Sequence, residues 1–420
     1  MLNLGGVSAA SLADRYDTPL YVYEAARIRA AYATLKRAFD VDDLRIHFAT
    51  KANSNPWILR ILAQEGAWAD VVSPGEIVMA RTAGFPARRL LYNGNSASDA
   101  EMRAAVEHGV RINVESMSQL RRLGALAPGV AVSIRFNIYV GGGHHSHVIT
   151  GGPESKFGID WEQADEARAL AAQGRLRVAG VHCHIGSGVL QAERFVAAVT
   201  NLLTVAQRFP DLEQVNFGGG IGIPYRRGDQ ELAVDRLGAL LTGEYERFCA
   251  SYGARPALCL EPGRFLVARS GTLLCRVTAV NQARKYLFAG TDSGFNHLVR
   301  PAMYGSYHHI EAVEPRAGEP RDTVLTGNIC ESGDVFTRDE EGIVPRALPP
   351  LEEGDLVAIR DAGAYGFAMA SRYNSFPLPA EVLVEDGADT LIRRRDTLPQ
   401  LLENIPALPE GEGPTEEGAR

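Results

Sequence analysis

The stretch Gln214-Val-Asn-Phe-Gly-Gly-Gly-Ile-Gly222 decides between two folds. A short β-rich run ends at Phe217 and a glycine cluster follows at once. In a doubly wound sheet the glycine-rich turn belongs after the first strand. Here it follows the seventh. Upstream lie the apolar runs Ile46–Ala49, Ala69–Val72, Leu90–Tyr92, Val110–Val114, Val130–Phe136 and Val178–Ile185, and downstream lies Ala257–Leu260. Between them Trp57–Leu62, Ile77–Thr82, Met117–Leu126 and Phe195–Phe209 space their apolar residues three to four apart, the helical period. Eight such units predict an α/β protein, a (β/α)8 TIM-type barrel.

After Arg269 the helical period fades. Thr272–Val280, Tyr286–Ala289, Thr323–Leu325 and Leu356–Ile359 read as strands, which predicts a second, smaller β-rich domain. The expected division is residues 26–270 for the barrel and 1–25 with 271–405 for the β domain. The tail 406–420, rich in Glu, Gly and Pro, is expected to be disordered.

With 420 residues the chain is long enough for two domains. Its net charge of −8 argues against nucleic acid as a partner, since a phosphate backbone needs a Lys/Arg surplus. No apolar run approaches a membrane span. Met1–Asp14 has neither the basic start nor the apolar block of a secretory signal. Five scattered cysteines without CxxC pairs fit a reducing cytoplasm better than a disulfide framework.

Barrel chemistry is built at the C-terminal strand ends. Those ends carry Lys51, Asp70 and Ser73, Asn93, Glu115, Arg135, His182 and His184, Gly218–Gly220, and Glu261. A lysine there is either a solvated side chain or, inside a barrel mouth, a desolvated one. In the second case its pKa falls and the neutral amine attacks an aldehyde. In His182-Cys-His-Ile-Gly-Ser187 alternation puts both histidines on one face and Cys183 on the other. The pair fits a shared zinc, a plate stacked on a flat cofactor with Ser187 bonding an anion, or histidines satisfied within the structure. Gly218–Gly220 either converge N–H groups on an anion or make a tight turn. In Glu261-Pro-Gly-Arg264 the carboxylate suits a protonated pyridine nitrogen and the guanidinium a phosphate or carboxylate. A surface ion pair between the two is the competing reading.

Together these segments resemble the fold-type III pyridoxal-phosphate decarboxylases, and within that family the branch acting on diaminopimelate. The resemblance is carried by Phe48-Ala-Thr-Lys-Ala-Asn53, Asp70-Val-Val-Ser73 with Gly75-Glu76, His182–Ser187, Gly218–Gly220, Glu261–Arg264, Arg300-Pro-Ala-Met-Tyr304, Cys330-Glu-Ser-Gly-Asp334, Gly363-Ala-Tyr365 and Tyr373-Asn374. It covers nearly the whole chain in the family's order. It implies pyridoxal 5'-phosphate carried covalently by Lys51, with Asp70 in support and His184 stacked on the ring. Ser187, Gly218–Gly220, Gly263 and Arg264 would hold the phosphate side, and Glu261 would face the ring nitrogen. Arg264, Arg300 and Tyr304 look like a grip on substrate carboxylate, and Tyr365 would touch both cofactor and substrate. In a homodimer with shared sites, the second subunit would supply Cys330 as proton donor and Glu331 for the distal ammonium. No metal is implied. Paired arginines, the Cys330–Asp334 segment and Gly151–Gly158 point to meso-2,6-diaminopimelate rather than a one-carboxylate amino acid, because a buried arginine without an acidic partner is costly. One departure is Phe376, where the family often has arginine. The histidine-rich stretch His144–His147 reads as an active-site loop or a metal site.

A related decarboxylase of another basic amino acid, a racemase of the same fold type and a pyridoxal-phosphate carrier are rivals within the fold. A metal-dependent amidohydrolase is a rival of another class, but its histidine pair and its lysine fall in the reverse strand order.

Overall fold

The computed structural model describes residues 1–140, 142–143, 155–226 and 228–407. The stretch His144–His147, the first part of Gly151–Gly158 and the tail from residue 408 lie outside them. Eight parallel strands close into a barrel: β1 (Leu44–Ala49), β2 (Trp68–Val71), β3 (Leu90–Tyr92), β4 (Arg111–Val114), β5 (Ala131–Asn137), β6 (Arg177–His182), β7 (Gln214–Asn216) and β8 (Ala257–Leu260). Each pairs with the next, and β8 returns to β1. The register sets Ala49 beside Asp70, and His182 between Arg135 and Asn216. The residues that end the strands therefore meet in one layer.

Caps fix the passage from strand end to helix start. Ser73 and Ser116 accept the N–H of the third residue of the helices Pro74–Thr82 and Met117–Leu126, and Asn55 caps Pro56–Gln64. Each such cap stabilises by about 1 kcal/mol, and each lies beside the strand ends that carry the polar residues. On the outer ring, helices Ala25–Ala38 and Val234–Tyr252 touch at Gly238, where a Cβ would run into the Ala38 carbonyl.

The second sheet is built on the long strand Gly271–Gln282, which pairs with Leu20–Glu24, Leu287–Thr291 and Leu356–Ile359. Arg321–Thr326 extends it on one side, and Ala380–Glu385 with Ala388–Arg393 on the other. The four strands expected from the sequence are present, Leu356–Ile359 with the expected ends and the other three with slightly different ones. Leu20–Glu24 and Ala380–Glu385 were not expected. Leu20–Glu24 is buried at all five positions and Ala380–Glu385 at all but its last, so neither shows the alternation that marks a half-exposed strand. Three expected barrel strands are also shorter: β4 starts at Arg111, β7 stops at Asn216, and β6 stops at His182 rather than Ile185.

Candidate active site

A cavity of about 550 Å³ opens at the C-terminal ends of the barrel strands. Lys51, Asp70, His184, Ser187, Gly220, Glu261, Gly263, Arg264, Arg300, Tyr304 and Tyr365 all line it. A smaller cavity of about 360 Å³ lies at the opposite end, among Arg45, His47, Arg111 and Gln214. Barrel chemistry belongs to the first position.

Lys51 stands on the single turn Thr50–Ala52, directly after β1. Thr50 Oγ1 donates to the Asp70 carbonyl at 2.8 Å, Asn53 Nδ2 to the Gly363 carbonyl at 3.2 Å, and the Tyr365 N–H to the Ala52 carbonyl at 2.8 Å. That last bond anchors Tyr365 at φ 56°, a left-handed conformation unusual for a bulky residue. Lys51 Nζ lies 3.9 Å from Asp70 Oδ2, with the side chain 46% exposed to the cavity. Here the sequence expectation of a lowered lysine pKa is corrected. Desolvation pushes the ammonium down, but Asp70, Tyr365 and Glu261 outweigh it and hold Lys51 above its ordinary range. Asp70 is buried and accepts from Asn93 at 2.6 Å. Burial and the Glu261 charge push its carboxyl up to about 7, against the opposing pull of Lys51.

Glu261 and Arg264 do not pair with each other, which removes the surface ion-pair reading. Glu261 is buried and accepts from Asn93, Asn216 and His182 at 2.8–2.9 Å. Burial pushes its carboxyl up, but the neighbouring histidines, His182 with its hydrogen bond first among them, draw it below the carboxylate range. The histidines of the expected zinc reading are engaged elsewhere: His182 by Asn113 and Glu261, His184 Nδ1 by the Gly219 N–H at 2.9 Å. Burial holds the His184 imidazole well below its ordinary pKa. Among the described residues no group of three or more His, Cys, Asp or Glu side chains is arranged to hold a metal ion.

The glycine loop does not offer three converging donors. The Gly218 N–H goes to Asn216 Oδ1 and the Gly219 N–H to His184, so only Gly220 of the three lines the cavity. Side chains at Gly218 and Gly219 would run into the carbonyls of Cys183 and Glu261. The run thus lets the loop after β7 nest between those after β6 and β8, and this packing accounts for two of its glycines.

Arg264 and Arg300 are buried, yet neither forms an ion pair among the described residues. Arg264 donates to the Tyr225 hydroxyl at 2.8 Å and to Ser187 Oγ at 3.0 Å, and its Nε has no hydrogen-bond partner among the described residues. Arg300 contacts His308 Nε2 at 2.8 Å and donates to Ser306 Oγ at 3.3 Å. Burial pushes the Arg300 guanidinium below its ordinary range. Both lie near the Tyr225 ring, at 5.7 and 4.7 Å. Two buried guanidiniums facing one cavity without acids of their own suit anionic ligands. A cofactor phosphate and a substrate carboxylate fit this donor set.

Cys330 and Glu331 are exposed and line no part of this cavity. Sequence reasoning missed Asn113, Asn216, Tyr225 and His308. The first two had a legible signal, a polar residue inside an otherwise apolar strand. Tyr225 and His308 sit in loops and had none.

The family described as "pyridoxal-dependent decarboxylase, pyridoxal binding domain" matches residues 25–268. The chain belongs to the pyridoxal-dependent decarboxylases. It is 46% identical to the diaminopimelate decarboxylase of Methanothermobacter thermautotrophicus, over 97% of this chain and 96% of that one. A crystal structure of diaminopimelate decarboxylase superposes with a TM-score of 0.90 at 37% identity, covering 96% of this chain and 97% of that one. The M. jannaschii diaminopimelate decarboxylase in co-complex with L-lysine does so at 0.88 and 32%, covering 97% and 99%. Within its class, the chain stands with the diaminopimelate decarboxylases.

Proposed function

We propose that this protein decarboxylates meso-2,6-diaminopimelate to L-lysine and carbon dioxide, using pyridoxal 5'-phosphate held by Lys51. The observation that carries the reading is the pair Arg264 and Arg300: two buried guanidiniums without acid partners among the described residues, opening into the cavity that holds Lys51. One suits the cofactor phosphate and the other a substrate carboxylate, and the choice of diaminopimelate is supported by the likeness to the diaminopimelate decarboxylases over nearly the whole chain.

When bound, the cofactor supplies an electron sink for the bond between Cα and its carboxylate. The protein's residues do the rest. Lys51 Nζ would hold the cofactor, with Asp70 beside it to balance part of its charge. His184 would form a flat wall for the ring, and Glu261 would offer a negative oxygen to the ring nitrogen. Ser187, Gly220, Gly263 and Arg264 would hold the phosphate. Arg300 and Tyr304 orient substrate carboxylate, and Tyr365 closes the site above the Lys51 turn.

Residues 26–270 are read as the cofactor domain and 1–25 with 271–405 as the domain that completes the neighbouring site. The turn Ile329–Asp334 supports a shared-site homodimer. It is exposed at Cys330 and Glu331 but braced from below, where buried Asp334 accepts from the Phe295 and Ile329 N–H groups at 2.7 and 2.8 Å. A rigid exposed turn bearing a thiol and a carboxylate suits insertion into a second copy. There Cys330 would return a proton to Cα and Glu331 would meet the distal ammonium.

The test is carbon dioxide release measured side by side on meso-diaminopimelate, L-lysine and L-ornithine. Release from the first alone is expected. Release from lysine or ornithine with none from diaminopimelate would overturn the substrate assignment.

A further inference from the structure

Glu261 is held in a closed circuit of hydrogen bonds whose orientation has one solution. Asn93 Nδ2 lies 2.6 Å from Asp70 Oδ1 and 2.9 Å from Glu261 Oε1, so the atom between the two carboxylates is the amide nitrogen, one hydrogen to each. The Asn93 carbonyl oxygen then faces Asn113 at 2.6 Å, where only a donor fits. The same Asn113 nitrogen lies 2.8 Å from His182 Nδ1. One of its hydrogens goes to Asn93 and the other points at Nδ1, so Nδ1 carries none. His182 keeps its proton on Nε2, 2.9 Å from Glu261 Oε2. An imidazolium would set an Nδ1–H against an Asn113 N–H. Asn93, Asn113, His182 and Glu261 are all buried, which keeps solvent from rewriting the circuit.

We infer that Asn113, acting through His182, is a positioning residue that fixes the protons around Glu261: His182 is the neutral Nε2–H tautomer, a donor and not a counter-ion, and of the His182–Glu261 pair only Glu261 is charged. A carboxylate has about four acceptor sites. Asn93 and Asn216 both donate to Oε1 and His182 donates to Oε2, so the remaining site is on Oε2. Toward pyridoxal phosphate this leaves one acceptor for a ring N–H, backed by an undiluted negative charge. That purpose rests on the function proposed above, whereas the tautomer does not.

Nitrogen-15 NMR of the histidine-labelled full chain reads the tautomer directly, with and without cofactor, and the spectrum of His182→Gln identifies the resonances. Expected in both states are an Nδ1 signal typical of a bare ring nitrogen and an Nε2 signal typical of N–H. In Asn113→Asp the new carboxylate should draw a proton onto Nδ1, moving both signals to imidazolium positions, and kcat should fall more than KM changes. Wild-type His182 protonated on Nδ1, or on both nitrogens, would overturn the inference, as would an Asn113→Asp spectrum identical to wild type. If that variant does not fold, the wild-type tautomer still decides. A protein that released no carbon dioxide from diaminopimelate would leave the tautomer result untouched.

Discussion

At Lys51 the surroundings oppose the simplest view of an activated amine. Asp70, 3.9 Å away, favours the ammonium, so the free lysine is held charged until a ligand redistributes the charge. Lys51→Ala should fold, since the side chain points into a cavity, and should release no detectable carbon dioxide. Arg300 makes the complementary case. It is buried with no acidic partner among the described residues, so it costs stability in the empty site and contributes binding in the filled one. Arg300→Met should lower kcat/KM for diaminopimelate on the order of a hundredfold, the loss of a charge-assisted contact, while the melting temperature of the cofactor-free chain does not fall. A melting temperature that drops sharply would mean that Arg300 is structural. At this scale much was legible, because Lys51, Asp70, His184, Arg264 and Tyr365 sit in short motifs at strand ends or turns. The partners that orient them were not. A hydrogen bond such as that between Asn113 and His182 joins residues 69 apart in the chain and leaves no local pattern.

Among the elements, the strand Ala380–Glu385 carries a charge that the fold resists. Glu381 is buried and accepts from the Tyr23 hydroxyl at 2.8 Å and Asn55 Nδ2 at 3.1 Å, tying the second sheet to the cap of helix Pro56–Gln64. Burial pushes its carboxyl from 4.5 up to about 7. Between those values the folded chain keeps a proton that the unfolded chain has released, so stability falls as pH rises through the window and the full cost is present above about 7. At about 1.4 kcal/mol per pH unit the cost is about 3 kcal/mol. Melts of Glu381→Gln at pH 5 and pH 8 should show a gain over wild type that is larger at pH 8. An equal difference at both would contradict the shift. The glycine loop is a second test at this scale. Gly219→Ala meets the Glu261 carbonyl and removes the fit between the β7 and β8 loops, so it should cost about 3 kcal/mol and weaken cofactor retention. The barrel strands were legible because each ends in a turn signal. The glycine run was misread in part, since a sequence does not tell an N–H given to a ligand from one given to a neighbouring side chain.

In the whole molecule, the two-part architecture follows from a pattern switch near Gly271 that the sequence displays, whereas the return of Leu20–Glu24 to the centre of the second sheet does not. That strand sits about 250 residues from its partner Gly271–Gln282, a pairing no local periodicity encodes. The proposed homodimer belongs to this scale as well. If Cys330 serves the neighbouring site, Lys51→Ala and Cys330→Ala chains, each inactive alone, should recover about a quarter of wild-type activity after mixing and subunit exchange, because half the dimers then hold one intact site. No recovery despite demonstrated exchange would restrict each site to one chain. The central claim remains that Lys51 carries pyridoxal phosphate, and the chain's few lysines make it open to direct measurement. Borohydride fixation of the cofactor followed by peptide mass mapping should find the pyridoxyl group on Lys51 alone. Its appearance on Lys36, Lys156 or Lys285 instead, or on no lysine, would contradict the account.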